Sequence, residues 1–116
     1  MSDELPFTVS VLLEQCGGCN DIAKIILEEF VIQVADDTKE IERGFADGDL
    51  IRVGKLGHRL KGSAGVIGAK ALSALCASLE TAGKEGNAET AAQIYTALKA
   101  EAERCSAAIV VNQNNF

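Results

Sequence analysis

Residues 49–69 read Asp-Leu-Ile-Arg-Val-Gly-Lys-Leu-Gly-His-Arg-Leu-Lys-Gly-Ser-Ala-Gly-Val-Ile-Gly-Ala. Val53, Leu56, Leu60, Ala64 and Ile67 recur at steps of three and four, the spacing of one face of a helix. Asp47-Gly48-Asp49 is a turn, Asp49 is suited to cap the helix that follows, and Gly68 marks its end, so the spacing predicts a helix over Leu50 to Ile67. At 100° per residue the five apolar side chains lie roughly 160–240° away from His58, so the histidine points out of the core. Within about 60° of it fall Gly54, Lys55, Lys61, Gly62 and Gly65, a face of two lysines and three glycines with no large apolar side chain.

Helical spacing continues on both sides, and strand alternation is absent. Thr8 to Cys16 reads as a short helix with Thr8 at its N-cap and Gly17-Gly18 after its end. A long helix opens near Asn20-Asp21 with the stripe Ile22, Ile26, Phe30, Val34, Ile41, Phe45. After Gly68 comes a helix carrying Leu72, Leu75, Cys76 and Leu79, expected to stop at Gly83, with Gly83 to Asn87 as a loop. The last helix carries Ala91, Tyr95, Leu98, Ala102, Cys105 and Ile109 in alternating steps of four and three, the seam of a helix packed along neighbours at a shallow angle. Asn112 to Phe116 reads as a frayed tail. The expected fold is all-α: an antiparallel up-down four-helix bundle with a short N-terminal capping helix. It forms one domain over residues 1–116, with the bundle at about 8–110.

The chain has 116 residues and a formal charge of −6, from 11 basic and 17 acidic side chains, with four cysteines and one histidine. Its length leaves no room for a nucleotide-binding domain beside a substrate domain. One histidine excludes multi-histidine metal sites and two-histidine acid–base pairs. The acidic balance argues against non-specific nucleic-acid binding, which needs an excess of Lys and Arg. No apolar run approaches the roughly 20 residues of a membrane span, and the N-terminus lacks the pattern of a signal peptide. The expected location is cytoplasmic and the expected state monomeric, with reduced thiols. The initiating methionine and the polar tail favour a free protein over a piece of a larger one. No phosphate-cradling loop is present.

Gly54, Gly57, Gly62 and Gly65 within one helix sacrifice roughly 2–4 kcal/mol against alanine, a sum that a purely structural helix has no reason to carry. Missing side chains let a partner approach the helix backbone and leave the imidazole open. Lys61 lies one turn after His58, where its ammonium can reach an anionic group carried on the ring. Lys55 and Arg59 extend the positive patch, which favours an acidic partner surface. The competing reading is a solvated surface histidine on an ordinary amphipathic helix.

The stretch His58-Arg59-Leu60-Lys61-Gly62-Ser63-Ala64-Gly65-Val66-Ile67-Gly68-Ala69 resembles the signature of histidine-containing phosphotransfer domains. That pattern reads His-x-Leu-Lys-Gly-Ser with a Gly-Ala a few positions on, and His58, Leu60, Lys61, Gly62, Ser63, Gly68 and Ala69 match it. Leu72, Cys76 and Leu79-Glu80 follow at similar intervals, and the Cys16-to-Asp21 segment is similar to the family's helix start. The departures are Gly57, where the family more often has alanine, and Cys19, near a position that is often acidic. The resemblance implies that His58 takes a phosphoryl group from the aspartyl phosphate of a response-regulator receiver domain and relays it to another receiver. Donor and acceptor would be receivers of a hybrid histidine kinase and of a downstream regulator. It implies that Lys61 steadies the phosphoryl oxygens and Gly62 permits close approach. The open face and its positive patch place Gly54, Lys55, Arg59 and Gly65 at the docking surface. With no carboxylate cluster in the motif, this chain is expected to bind no cofactor, and Mg²⁺ is expected in the receiver.

Three other readings stand beside it. Cys16-Gly17-Gly18-Cys19 has the CxxC spacing of redox and zinc sites, against the blander reading of small thiols around a glycine break. A bundle of this shape can also bind a receiver as an adaptor without transferring anything. The phosphoacceptor domain of a histidine kinase carries an acidic residue next to its histidine and a later proline; here Arg59 follows His58, and no proline follows Pro6.

Overall fold

The computed structural model describes residues 5–112. Five α-helices follow one another: α1 Val9–Gln15, α2 Asn20–Ala46, α3 Leu50–Val66, α4 Lys70–Glu85 and α5 Ala88–Asn112. The four long helices pack in a ring, α2 against α3 and α5, α4 against α3 and α5, while α1 rests on α2 and α3. This is the antiparallel bundle that short connections dictate. Residues 113–116 of the predicted frayed tail lie outside the described residues, and α5 reaches Asn112. Among the described residues no helix is long and apolar enough to cross a membrane.

The core seams of α3 and α5 lie where the periodicity places them. Val53, Leu56, Leu60, Ala64 and Ile67 are buried, as are Ala91, Tyr95, Leu98, Ala102, Cys105 and Ile109. The seam of α2 differs from its predicted stripe. Its buried residues are Ala23, Leu27, Phe30, Val34, Asp37, Ile41 and Gly44, in strict alternation of four and three. Ile22 is exposed, and Ile26 and Phe45 are only half buried. A run of fours drifts by about 40° per step around a helix, so such a stripe cannot follow a straight neighbour, whereas alternating fours and threes can. Two seam positions are not apolar, which hides the alternation in the sequence. Gly44 is there because a Cβ would stand 2.8 Å from Val53 Cγ2. Asp37 is fully buried, and its carboxylate is met by the Arg59 guanidinium and by Gln33 Nε2 at 3.4 Å.

The contact between α3 and α4 is the tightest in the molecule and rests on glycine. A Cβ on Gly83 would stand 2.7 Å from the Gly54 backbone and 2.8 Å from the Leu50 carbonyl. Gly83 therefore belongs to the interior of α4; the helix continues to Glu85 and ends on Gly86, which takes the left-handed conformation at φ 71°. At the other end of the pair, Thr8 clamps the α3–α4 turn. Its N–H donates to Ile67 O at 3.0 Å and its Oγ1 to Gly68 O at 3.1 Å. Thr8 thus stands at the N-cap of α1 but spends its hydroxyl on the neighbouring turn, so the short helix is tied across the bundle end.

Candidate functional site

His58 lies mid-way along α3 with its side chain 67 % exposed. The core stripe turns it outward, as the helical wheel requires. It is not isolated. Glu80, on the facing side of α4, accepts from His58 Nδ1 at 3.0 Å, from Lys61 Nζ at 2.9 Å and from Lys84 Nζ at 3.1 Å. The Glu80 side chain is only 12 % exposed. The ammonium of Lys61, then that of Lys84, holds its carboxyl down to about 2 against the opposing effect of burial. Glu80 is therefore a carboxylate throughout the neutral range and can only accept. Nδ1 must carry the hydrogen between them. In the neutral ring this leaves the lone pair on Nε2, on the side of the imidazole away from Glu80.

The four glycines of α3 divide in two. Gly62 and Gly65 are open, with no atom within 4 Å of where a Cβ would stand. Gly54 and Gly57 are buried against α4. Their Cβ atoms would meet the Glu80 carbonyl and the Cys76 carbonyl, each at 3.1 Å. Gly54 packs on α4 and also lines a depression beside His58, and half of the glycine cost is structural. The reason is that α4 approaches α3 more closely than side-chain-covered helices can, and its backbone covers the flank of the His58 face. Lys55 remains exposed and, with Ile51, Gly54, His58, Glu80 and Lys84, lines that shallow depression of about 450 Å³. Arg59 is exposed along its stem, but its guanidinium is tied to the buried Asp37, which raises its pKa further.

Glu80 and Lys84 were not legible as site residues, because they stand on another helix. One signal was available. An α3–α4 hairpin turning at Gly68 brings His58 and Glu80 to similar distances from the turn, on facing helices. Gln33 and Ser63 form a further cross-helix bond of 2.7 Å between α2 and α3. The four cysteines are free; Cys76 and Cys105 are buried in the core, and Cys16 and Cys19 are half buried at the α1–α2 turn. Among the described residues no three His, Cys, Asp or Glu side chains converge as metal ligands.

A helical bundle that presents one imidazole, oriented through Nδ1 and flanked by lysines, defines a class: a carrier of an anionic group on a side-chain nitrogen. Residues 25–108 match the family model of the Hpt domain, and the chain belongs to that family. Its function is histidine phosphotransfer in phosphorelays, in which Hpt domains interact with response-regulator receiver domains. The fold is shared with histidine-containing phosphotransfer protein B from Pseudomonas aeruginosa PAO1, with a TM-score of 0.87 at 18 % identity over 95 % of this chain and 96 % of that one. It is shared also with the Hpt domain of the Hpt sensor hybrid histidine kinase from Shewanella, with a TM-score of 0.82 at 17 % identity over 96 % of each chain. No curated protein matches the chain by sequence.

Proposed function

We propose that His58 is the phosphoacceptor and that its Nε2 exchanges a phosphoryl group with the active-site aspartate of receiver domains. The observation that carries this reading is the bond from His58 Nδ1 to the Glu80 carboxylate. It selects the tautomer with a free Nε2 lone pair and leaves that nitrogen facing solvent. Nε2 attacks the phosphorus of the aspartyl phosphate, the N–P bond forms, and the P–O bond to the aspartate breaks, releasing its carboxylate. The ring then carries a positive charge that it lacked before, and Glu80 lies within hydrogen-bond distance to stabilise it. Return transfer runs the same steps in reverse.

Lys61 has three N–H donors. One is committed to Glu80, and the others can meet phosphoryl oxygens. Gly62 and Gly65 admit the receiver surface to the helix backbone. Lys55, with Ile51 at 57 % exposure, offers a mixed basic and apolar rim. Of the docking residues named from sequence, Lys55, Gly65 and the exposed Arg59 face solvent, and Gly54 lines the depression beside His58 while packing on α4. Mg²⁺ and its acidic ligands belong to the receiver, and this chain supplies the nucleophile and positive charge of a shared site. The partners are the receiver of a hybrid kinase and that of a downstream regulator, with the chain acting as a monomer.

The test is incubation with a phosphorylated receiver. An acid-labile phosphoprotein is expected, and none from His58→Gln, whose far-UV circular dichroism should match the parent. Label retained in His58→Gln would remove His58 from the role. A receiver complex that forms without labelling the parent protein would leave the non-transferring adaptor as the better description.

A further inference from the structure

The Cys16-Gly17-Gly18-Cys19 turn is not used by the phosphotransfer site. Cys19 N–H donates to Cys16 O at 3.3 Å, which closes a β-turn across the four residues. Such a turn brings its first and last α-carbons within about 7 Å, the range in which a disulfide can span a pair of cysteines. The Cys16 Sγ donates to Leu12 O at 3.2 Å and lies 3.5 Å from the Cys19 carbonyl oxygen, so pairing requires it only to leave the helix carbonyl. Gly17 and Gly18, at φ 63° and 81°, form the crest, and nothing stands within 4 Å of where their Cβ atoms would be. The crest of the turn is thus open, and the two thiols that flank it are half buried. The other two thiols are the opposite case. Cys76 and Cys105 are fully buried, and burial pushes each thiol up to about 12, so neither can supply a thiolate near neutral pH.

From this geometry we propose that Cys16 and Cys19 form a reversible dithiol–disulfide pair at the α1–α2 joint, oxidised by a low-molecular-weight disulfide. One of the two thiolates attacks the oxidant, forming a mixed disulfide and releasing one oxidant thiol. The second protein thiolate attacks the protein sulfur of that mixed disulfide. The Cys16–Cys19 bond forms and the second oxidant thiol leaves, so the protein loses two electrons and two protons and the oxidant gains them. The bond restrains the joint that carries α1, the helix whose Thr8 clamps the α3–α4 turn.

The experiment uses the full, reduced chain, incubated with glutathione disulfide over graded oxidant-to-reductant ratios. It is then acid-quenched, alkylated under denaturing conditions and read by intact mass and peptide mapping. A loss of about 2 Da is expected, with Cys16 and Cys19 protected and Cys76 and Cys105 alkylated, reversed by dithiothreitol. Cys16→Ser and Cys19→Ser should each stop at the mixed disulfide on the remaining thiol. Four alkylated thiols at every ratio, or a mixed disulfide that never resolves in the parent chain, would overturn the pairing. So would a 2 Da loss that persists in Cys16→Ser, which would place the bond elsewhere. Peptide mapping of the parent chain decides the matter even if a variant misfolds, and none of these readouts depends on His58.

Discussion

The two halves of α3 use glycine for opposite ends. In the N-terminal half, Gly54 and Gly57 bring the α4 backbone into contact, with Gly83 as the complementary gap on the other helix. In the C-terminal half, a Cβ on Gly62 or Gly65 would meet nothing within 4 Å. One pair removes side chains so that the protein can pack on itself, and the other so that something else can approach. The close packing has a second effect. It brings α4 near enough for Glu80 to reach back to His58 and Lys61, so the packing half positions the site half.

The sharpest challenge to this division lies at Arg59, one residue into the site half yet bound to the fully buried Asp37. If Arg59 is a packing residue, Arg59→Ala leaves a carboxylate in the core with only the long Gln33 contact. Removing one partner of such a pair costs about 3 kcal/mol. Urea denaturation should show that loss. A stability within experimental error of the parent would return Arg59 to the docking face.

Next in size is Gly83→Ala. The added methyl would stand 2.7 Å from Gly54 backbone atoms, which have no rotamer by which to retreat. Forced separation of α3 and α4 should cost about 1–3 kcal/mol, outweighing the helix propensity that alanine brings. Because Glu80 moves with α4, transfer should slow in the folded variant as well. Normal transfer with lowered stability would show that the packing and the site are independent.

How far this division could be read without coordinates depends on where the information sits. The α5 seam was legible in full because all six of its positions, from Ala91 to Ile109, are apolar or small. The α2 seam was not, because Asp37 and Gly44 occupy core positions while Ile22, Ile25 and Ile32 lie exposed. A charge neutralised by a partner 22 residues away and a glycine chosen to fit one valine carry no local mark. The outward direction of His58 was legible because it depends on one helix alone. The tautomer-setting bond was not, since it depends on how two helices face. For the same reason the four glycines of α3 formed one group in sequence and two in space.

A smaller effect tests the electrostatic side of the link. The Glu80 carboxyl is held near 2 in the folded chain against an ordinary value of 4.5. The unfolded chain therefore binds more protons between those values. Glu80 contributes its stability above about pH 4.5, and that contribution is lost as pH falls toward 2. The difference in urea midpoint between the parent and Glu80→Gln should narrow as pH falls through that window. A gap that does not change with pH would mean that the Lys61–Glu80–Lys84 cluster does not differ between the folded and unfolded chain.

The smallest expected change separates the two glycine pairs most cleanly, because its sign differs between them. Gly62→Ala and Gly65→Ala place a methyl in open space on a helix, so each should raise stability by about 0.5–1 kcal/mol. Gly54→Ala and Gly57→Ala gain the same propensity but press a methyl onto α4 carbonyls at 3.1 Å, and the net effect should be a loss of about 1 kcal/mol. Once folded fractions are equalised, Gly54→Ala and Gly57→Ala should slow transfer only as far as their contact with the Cys76-to-Glu80 stretch displaces Glu80. Gly62→Gln, stable but bulky one turn from His58, should transfer far more slowly than the less stable Gly54→Ala. If all four alanine variants shift stability in one direction, the division of α3 fails. If Gly62→Gln transfers at the parental rate, open space beside His58 is not what admits the receiver.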